Sequence, residues 1–321
     1  MNIYLIAYTK NNLGDDLFTS MLVSKYPEVN FDINIEEIEY TKSLSGFSNV
    51  NIINEKRNLD KIDVKKYDAI VYIGGSIFME KNNGLRRLKD FNKFIKHAKH
   101  NNVPFYYISC NFGPYETKEY LELAKNTFSY CEDVCFRDRY SYDLFKDIKS
   151  VRYAPDLILS YEFNNIEKKE DTIGISIIDL NIRKDLINLK SKYIEMIKNN
   201  INKYQADGKE VCLFSFCKYE GDENAINEIY NLVDNKDKLK VVKYNGNIEE
   251  FLRIYAQMEY MICSRFHSMI ISTKLKQKML ILSYSKKIDN VIRDMDWKLN
   301  IKKLKDIDEN VILKLSDFKK I

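Results

Sequence analysis

Residues Glu259 to Asp289 read EYMICSRFHSMIISTKLKQKMLILSYSKKID, and this stretch decides the fold. Tyr260 to Cys263 is an apolar run of strand length, and Ser268 to Leu275 spaces Met269, Ile270, Ile271 and Leu275 as a buried helix does. Met279 to Ser283 is the next strand. Strand, turn, helix and strand in that order make a right-handed parallel crossover, whose ligand-facing end is the carboxyl edge of its strands. Ser264, Arg265 and His267 fall on that edge, and Lys287 returns to it after the second strand. The first-turn amides of a helix, here at Ser268, beside an Arg charge suit a phosphate or carboxylate. A lone Arg-x-His at a strand end is equally compatible with a satisfied structural pair. His267 stands apart because the other two histidines, His97 and His100, lie in a Lys-rich helical stretch patterned as solvated surface.

Beyond this stretch, length and composition set the frame. The chain has 321 residues, about two domains by the usual prior. Lys and Arg number 51 against 47 Asp and Glu, and the net +4 reads as spread along the chain, so nucleic acid is not implied. The start, MNIYLIAYTK, enters a strand at once, without a basic leader or an apolar run near the ~20 residues that span a bilayer. A cytoplasmic protein is the expectation. Six Cys without a CxxC pair, mostly in apolar runs, point to reduced, buried thiols, and no metal-ligand cluster is visible.

Taken in order, Ile3 to Tyr8 is a strand that ends in the polar loop Thr9 to Asp16, ahead of a helix from Leu17 to Tyr26. The single Gly14 makes this neither a phosphate-binding loop nor a dinucleotide fingerprint. Asp15 or Asp16 either caps the helix or meets substrate. The strand Asp68 to Ile73 opens into Gly74-Gly75-Ser76, which is either a tight turn or a place where a ligand approaches backbone closely. Gly84 to Asn101 is a basic amphipathic helix. Val103 to Ser109 is a strand leading to Cys110-Asn-Phe-Gly-Pro114, and Asp133 to Phe136 is another, followed by Arg137-Asp138, a neighbouring pair of the kind that commonly forms a salt bridge. From Tyr161 to Asp171 apolar periodicity gives way to charge, which sets a linker there and domains at 1–165 and 166–321. A second α/β series follows, with strands at Thr172 to Ile178, Glu210 to Phe216 and Leu239 to Tyr244. Its helices run from Lys184 to Tyr204 and Asp222 to Val233, and Asn247 with Glu250 forms a capping box for a third. The expected fold class is therefore α/β, two Rossmann-like domains in a glycosyltransferase-B-like architecture. By analogy of fold, the second domain takes a phosphorylated donor and the first an acceptor.

The motifs as an ordered set resemble the polysaccharide pyruvyl transferase family over nearly the whole chain. They are Asn12-Leu-Gly-Asp15, Gly74-Gly75-Ser76, Phe112-Gly-Pro114, Arg137-Asp-x-x-Ser141, Ser264-Arg-Phe-His267 and Tyr284-x-x-Lys287. The resemblance implies transfer of a carboxyethylidene (pyruvyl ketal) group from phosphoenolpyruvate, as co-substrate without other cofactor, to a sugar of a surface glycan or its lipid-linked precursor. Membrane association would come through that acceptor, at the inner face of the membrane. Arg265 and His267 are the expected catalytic pair. Arg265, Ser264, Ser268, Lys287 and Arg183 are expected on the donor, and Asn12, Asp15, Gly74, Gly75 and Ser76 on the acceptor. The chain departs from the family pattern in Ser76, where a third Gly is usual, and in Lys276-Gln277-Lys278, where Gly-x-Pro is usual. It also has Asp179 where an Arg often follows the strand that opens the second domain. The alternatives are a nucleotide-sugar glycosyltransferase on the same architecture and a non-catalytic glycan-binding module.

Overall fold

The structure, a computed structural model, describes every residue of the chain except 82, 183 and 184. The described residues form two compact units, Met1–Thr9 with Asp15–Ser160, and Lys10–Gly14 with Tyr161–Ile321. The main division lies at the start of the charged stretch. The five-residue segment Lys10–Gly14, which the sequence reading kept in the first domain, packs with the second unit.

The first unit contains β1 (Asn2–Ile6), α1 (Leu13–Lys25, whose first two residues count with the second unit), β2 (Asn30–Asn34), β3 (Val50–Ile53) and β4 (Ala69–Ile73). It continues through α2 (Gly84–His100), β5 (Phe105–Cys110), α3 (Lys118–Ser129), β6 (Asp133–Phe136), α4 (Arg139–Phe145) and β7 (Val151–Tyr153). Its seven strands form one parallel sheet in the order β3-β2-β1-β4-β5-β6-β7. The central strands β1 and β4 are apolar and buried along nearly their full length, as strands covered on both faces must be. Their core is aromatic. Phe128 meets Phe145 edge-on at 4.8 Å and Phe78 at 4.9 Å, geometry that ring quadrupoles favour over face-to-face stacking.

The second unit runs β8 (Lys169–Ser176), α5 (Lys190–Ala206), β9 (Glu210–Ser215), α6 (Asp222–Leu232), β10 (Leu239–Lys243) and α7 (Ile248–Ala256). After these come β11 (Met258–Cys263), α8 (Phe266–Lys274), β12 (Lys278–Ser283), α9 (Lys286–Asp294) and β13 (Ile301–Lys303). Its parallel sheet has the order β10-β9-β8-β11-β12-β13. The opening stretch is thus β11, α8 and β12, in the centre of this sheet. The capping box forms as its spacing predicts, with Asn247 Oδ1 accepting from the Glu250 amide at 3.2 Å and Asn247 Nδ2 donating to Glu250 Oε2 at 3.0 Å.

Element ends differ where a local contact overrides periodicity. Helix α1 starts four residues earlier than expected, because Asn12 Oδ1 accepts from the Gly14 amide at 3.1 Å and so caps the helix. Asp15 and Asp16 therefore lie in its first turn, where carboxylates favour the helix dipole. Helix α5 begins at Lys190, after a short 3-10 turn at Ile187–Leu189, and the expected start, Lys184, lies outside the described residues. Strand β13 was not anticipated, since Ile301-Lys-Lys303 has no apolar alternation and is recruited by backbone pairing with β12. Lys276, at a position where the resembled family carries Gly, holds a left-handed φ of +51°, which glycine adopts without strain. All six Cys are free and buried.

Candidate active site

In the second unit, the carboxyl ends of β8, β9, β11 and β12 gather the polar side chains. Ser176, at the end of β8, shapes the turn after β11, because its hydroxyl accepts from the amides of Ser264 at 2.8 Å and Arg265 at 3.2 Å. This turn delivers Arg265 as the residue that precedes α8. Its guanidinium is buried between two carboxylates, Nη1 donating to Glu220 and Nη2 to Asp222, both from the loop and helix start that follow β9. Asp222 is anchored in turn by the amides of Phe216 at 2.9 Å and Cys217 at 3.0 Å.

The electrostatics of this clasp are dominated by burial. Burial pushes the Asp222 carboxyl up to about 6, even against the pull of the Arg265 guanidinium. Burial also works against the Arg265 charge, but Asp222 and Glu220 more than offset it and hold the guanidinium protonated. Among the described residues, Arg265 Nε finds no hydrogen-bond partner and is buried.

The segment Lys10–Gly14 is stitched onto this edge. The Leu13 amide donates to the Phe216 carbonyl at 3.1 Å, Asn12 bridges to Cys217, and Asn12 Nδ2 donates to Glu220 Oε1 at 3.3 Å. Gly14 then packs directly on His267, so closely that a methyl group at Gly14 would lie 1.6 Å from the imidazole Nδ1. Only a residue without a side chain allows that approach. Phe266 flanks the same ring edge-on at 5.3 Å. Lys287 Nζ sits 5.5 Å from the centre of the Phe266 ring and 5.7 Å from that of Tyr284, within cation–π range. Lys10 lies 5.1 Å from the Tyr219 ring centre.

Of the expected donor residues, Arg265, Ser264 and Lys287 therefore meet at one edge with His267. The Ser264 hydroxyl is buried against Tyr193, at 3.4 Å. The Ser268 hydroxyl turns inward, at 2.7 Å from the Tyr255 hydroxyl, so that only its backbone at the helix start is placed as the sequence reading required. Arg183 lies outside the described residues. Asn12, expected among acceptor residues of the first domain, makes its side-chain bonds to Gly14 and Glu220 instead. Glu220 and Asp222 were missed. The signal was a cluster of acids directly after β9, but only folding shows that they face an Arg more than forty residues further on.

The first unit has its own polar edge. A Cβ on Gly74 would lie 3.7 Å from Asp15 Oδ1, and Gly74 holds φ +155°, a backbone rarely open to side-chain-bearing residues. Gly75 leaves room for the guanidinium of Arg137, which binds Asp156 Oδ2 at 2.8 Å and Asn111 Oδ1 at 2.9 Å. Asn111 Oδ1 also accepts from the Ser76 hydroxyl at 3.2 Å. Asp138 caps α4 and accepts from the Ser141 hydroxyl at 3.0 Å, and that hydroxyl accepts from the Phe112 amide at 2.7 Å. Arg137-Asp-x-x-Ser141 thus braces the loop that carries Phe112-Gly-Pro114.

Against this geometry, comparison with known proteins is decisive at the level of family. The family model for polysaccharide pyruvyl transferase matches residues 12–286. The chain belongs to the polysaccharide pyruvyl transferase family. The match begins at Asn12 and ends at Lys286, so it takes in Asn12–Gly14 of the stitched segment and the Arg265–His267 turn of this pyruvyl transferase family member. The amylovoran biosynthesis protein AmsJ of Erwinia amylovora is 22% identical over 255 residues, covering 72% of this chain and 60% of that protein. The chain thus spans about three fifths of the length of that relative. Among solved structures, UDP-GlcNAc 2-epimerase of Methanocaldococcus jannaschii aligns with a TM-score of 0.62 at 10% identity, over 100% of this chain and 95% of the other. HepE of Anabaena, in complex with UDP-glucose, gives 0.59 at 9% identity over 90% and 82%. These likenesses establish the glycosyltransferase-B-like fold. Among the described residues no helix is long and apolar enough to cross a membrane, and no group of three or more His, Cys, Asp or Glu is placed to hold a metal.

Two substitutions test this arrangement. Arg265→Ala leaves two carboxylates without their cation, one of them fully buried, and should cost about 3–5 kcal/mol in urea unfolding at neutral pH. Because the folded-state pKa of Asp222 lies above its unfolded value, the folded protein takes up a proton as pH falls towards and below about 6. Arg265 holds this pKa down, so Arg265→Ala should raise it further; the variant then takes up its proton at higher pH than the parent, and the loss should shrink as pH falls towards about 6. Gly14→Ala should displace the imidazole at an overpacking cost of about 1–3 kcal/mol; a variant with unchanged stability and an unmoved His267 resonance would contradict the packing.

Proposed function

We propose that this chain transfers a pyruvyl ketal group from phosphoenolpyruvate to two hydroxyls of a sugar in a surface polysaccharide or its lipid-linked precursor. Family membership supports the reaction class. The observation that carries the assignment to particular residues is the packing of Gly14 on His267, because it joins two motifs some 250 residues apart into one site.

The chemistry needs a proton carrier and anion contacts. One sugar hydroxyl attacks the central carbon of phosphoenolpyruvate and loses its proton, while the methylene carbon gains a proton and becomes the methyl group. The second hydroxyl then displaces phosphate and closes the ketal, so that two C–O bonds form, the C–O bond to phosphate breaks, and the second hydroxyl's proton leaves with it. His267 is the side chain we assign to proton transfer, since an imidazole ordinarily titrates near working pH. Lys287, Lys10 and the start of α8 are the anion contacts. Arg265 has both terminal nitrogens committed to carboxylates, so its role here is to order the turn that presents His267, with Nε alone left to turn towards a donor oxygen.

The test is incubation with phosphoenolpyruvate or with nucleotide sugars, each with glycan or lipid-linked acceptors, following phosphate and nucleotide release. Acceptor-dependent phosphate release from phosphoenolpyruvate is expected. Release of nucleotide would instead favour the glycosyltransferase reading, and release of neither would favour a binding module. His267→Ala should retain phosphoenolpyruvate affinity and lose roughly 10²–10⁴-fold in kcat. A folded His267→Ala variant that turned over at the wild-type rate would remove His267 from the mechanism.

A further inference from the structure

The net charge that reads as spread along the chain is concentrated on one helix. Helix α2 carries six Lys and Arg against the single Asp90, a net +5, in a chain of net +4, which leaves the remaining residues at −1. At 100° per residue, Arg86, Lys89, Lys93, Lys96, His97 and His100 fall within one stripe about 120° wide. The buried residues Leu88, Phe94, Ile95 and Ala98 occupy the opposite side, so the stripe is the outermost line of the helix. It runs from Arg86 to His100, fifteen of the helix's seventeen residues, about 22 Å. Arg86, Lys89 and Lys93 are exposed.

Neighbouring acids do not cancel this charge. From α3 and the residues after it, Glu119 pairs with Lys89 at 2.7 Å and Glu132 approaches Lys99 at 4.0 Å. Asp90 lies within the stripe itself. Among the described residues, Arg86 and Lys93 meet no carboxylate.

We propose that the outer face of α2 docks this protein on an anionic phospholipid surface. The charge is complementary to phosphatidylglycerol-like headgroups, each cation near such a surface adding affinity. A convex stripe offers no groove for a polymer chain, and its charge comes from Arg86, Lys89, Lys93 and Lys96, with no Phe, Tyr or Trp in the stripe as a platform on which nucleic-acid bases stack. The absence of apolar side chains along it makes the contact electrostatic, lying on the headgroups without insertion. This inference stands apart from the donor chemistry, and its test does not involve turnover.

The experiment is sedimentation of the full chain with vesicles of phosphatidylcholine alone or mixed with phosphatidylglycerol. Binding is expected to the mixed vesicles only, and to be lost at high salt as the Debye length shortens. The triple variant Arg86→Gln, Lys89→Gln, Lys93→Gln should bind roughly a hundredfold more weakly, with thermal unfolding unchanged. A control of equal charge change on exposed lysines of the other unit, Lys192→Gln, Lys238→Gln, Lys240→Gln, should bind nearly as wild type. Equal binding to both vesicle types, salt-insensitive binding, undiminished binding by the α2 variant, or an equal loss in the control would each overturn the proposal.

Discussion

Everything at the candidate site depends on how closely a backbone can approach an imidazole. Gly14 lies against His267 with no room for a Cβ, and that approach exists only because the residues before it are fixed to the end of β9. Asn12 performs three tasks in that fixation. It caps α1 through the Gly14 amide, bridges to Cys217, and donates to Glu220. Glu220 in turn holds Arg265, which leads directly into the turn carrying His267. A closed circuit of contacts thus runs from the first loop of the chain to the helix start at Phe266.

The circuit is also an electrostatic compromise. A buried guanidinium faces two carboxylates, and desolvation is severe enough to lift Asp222 towards neutrality despite its cation. Such clusters are weak sources of stability but strict about geometry, because each member is costly to leave unpaired. The first unit uses the same device in a different place. Arg137 follows β6, lies against Gly75 where a side chain would collide, and is matched by the buried Asp156, whose carboxyl is likewise pushed up by burial. In both units a buried aspartate fixes a buried arginine and a glycine makes room for a close neighbour, the Arg137 guanidinium at Gly75 and the His267 imidazole at Gly14.

Much of this fold was legible because parallel strands buried on both faces leave continuous apolar runs. Tyr260 to Cys263 and Met279 to Ser283 needed no partner to be recognised. Helix starts were less legible, since Asn12 decides where α1 begins and no periodicity announces a cap. Strand β13 left no pattern at all, being held by backbone pairing. At the site, Arg265 and His267 were visible as residues at a strand's end, but the burden placed on Arg265 was not. Its charge reads as available to a ligand until Glu220 and Asp222 are seen beside it. Asn12 and Gly14 were read as acceptor-side and as a single loop glycine because chain order assigns them to the first domain, whereas their packing assigns them to the second unit.

The central claim is that His267, set by Gly14, faces the donor. With only three histidines in the chain, imidazole proton resonances can be resolved and assigned with His→Gln variants. Titrating phosphoenolpyruvate should move the His267 signal and leave His97 and His100, on the outer face of α2, unmoved. A titration in which phosphoenolpyruvate binds while the His267 resonance stays in place would contradict the account.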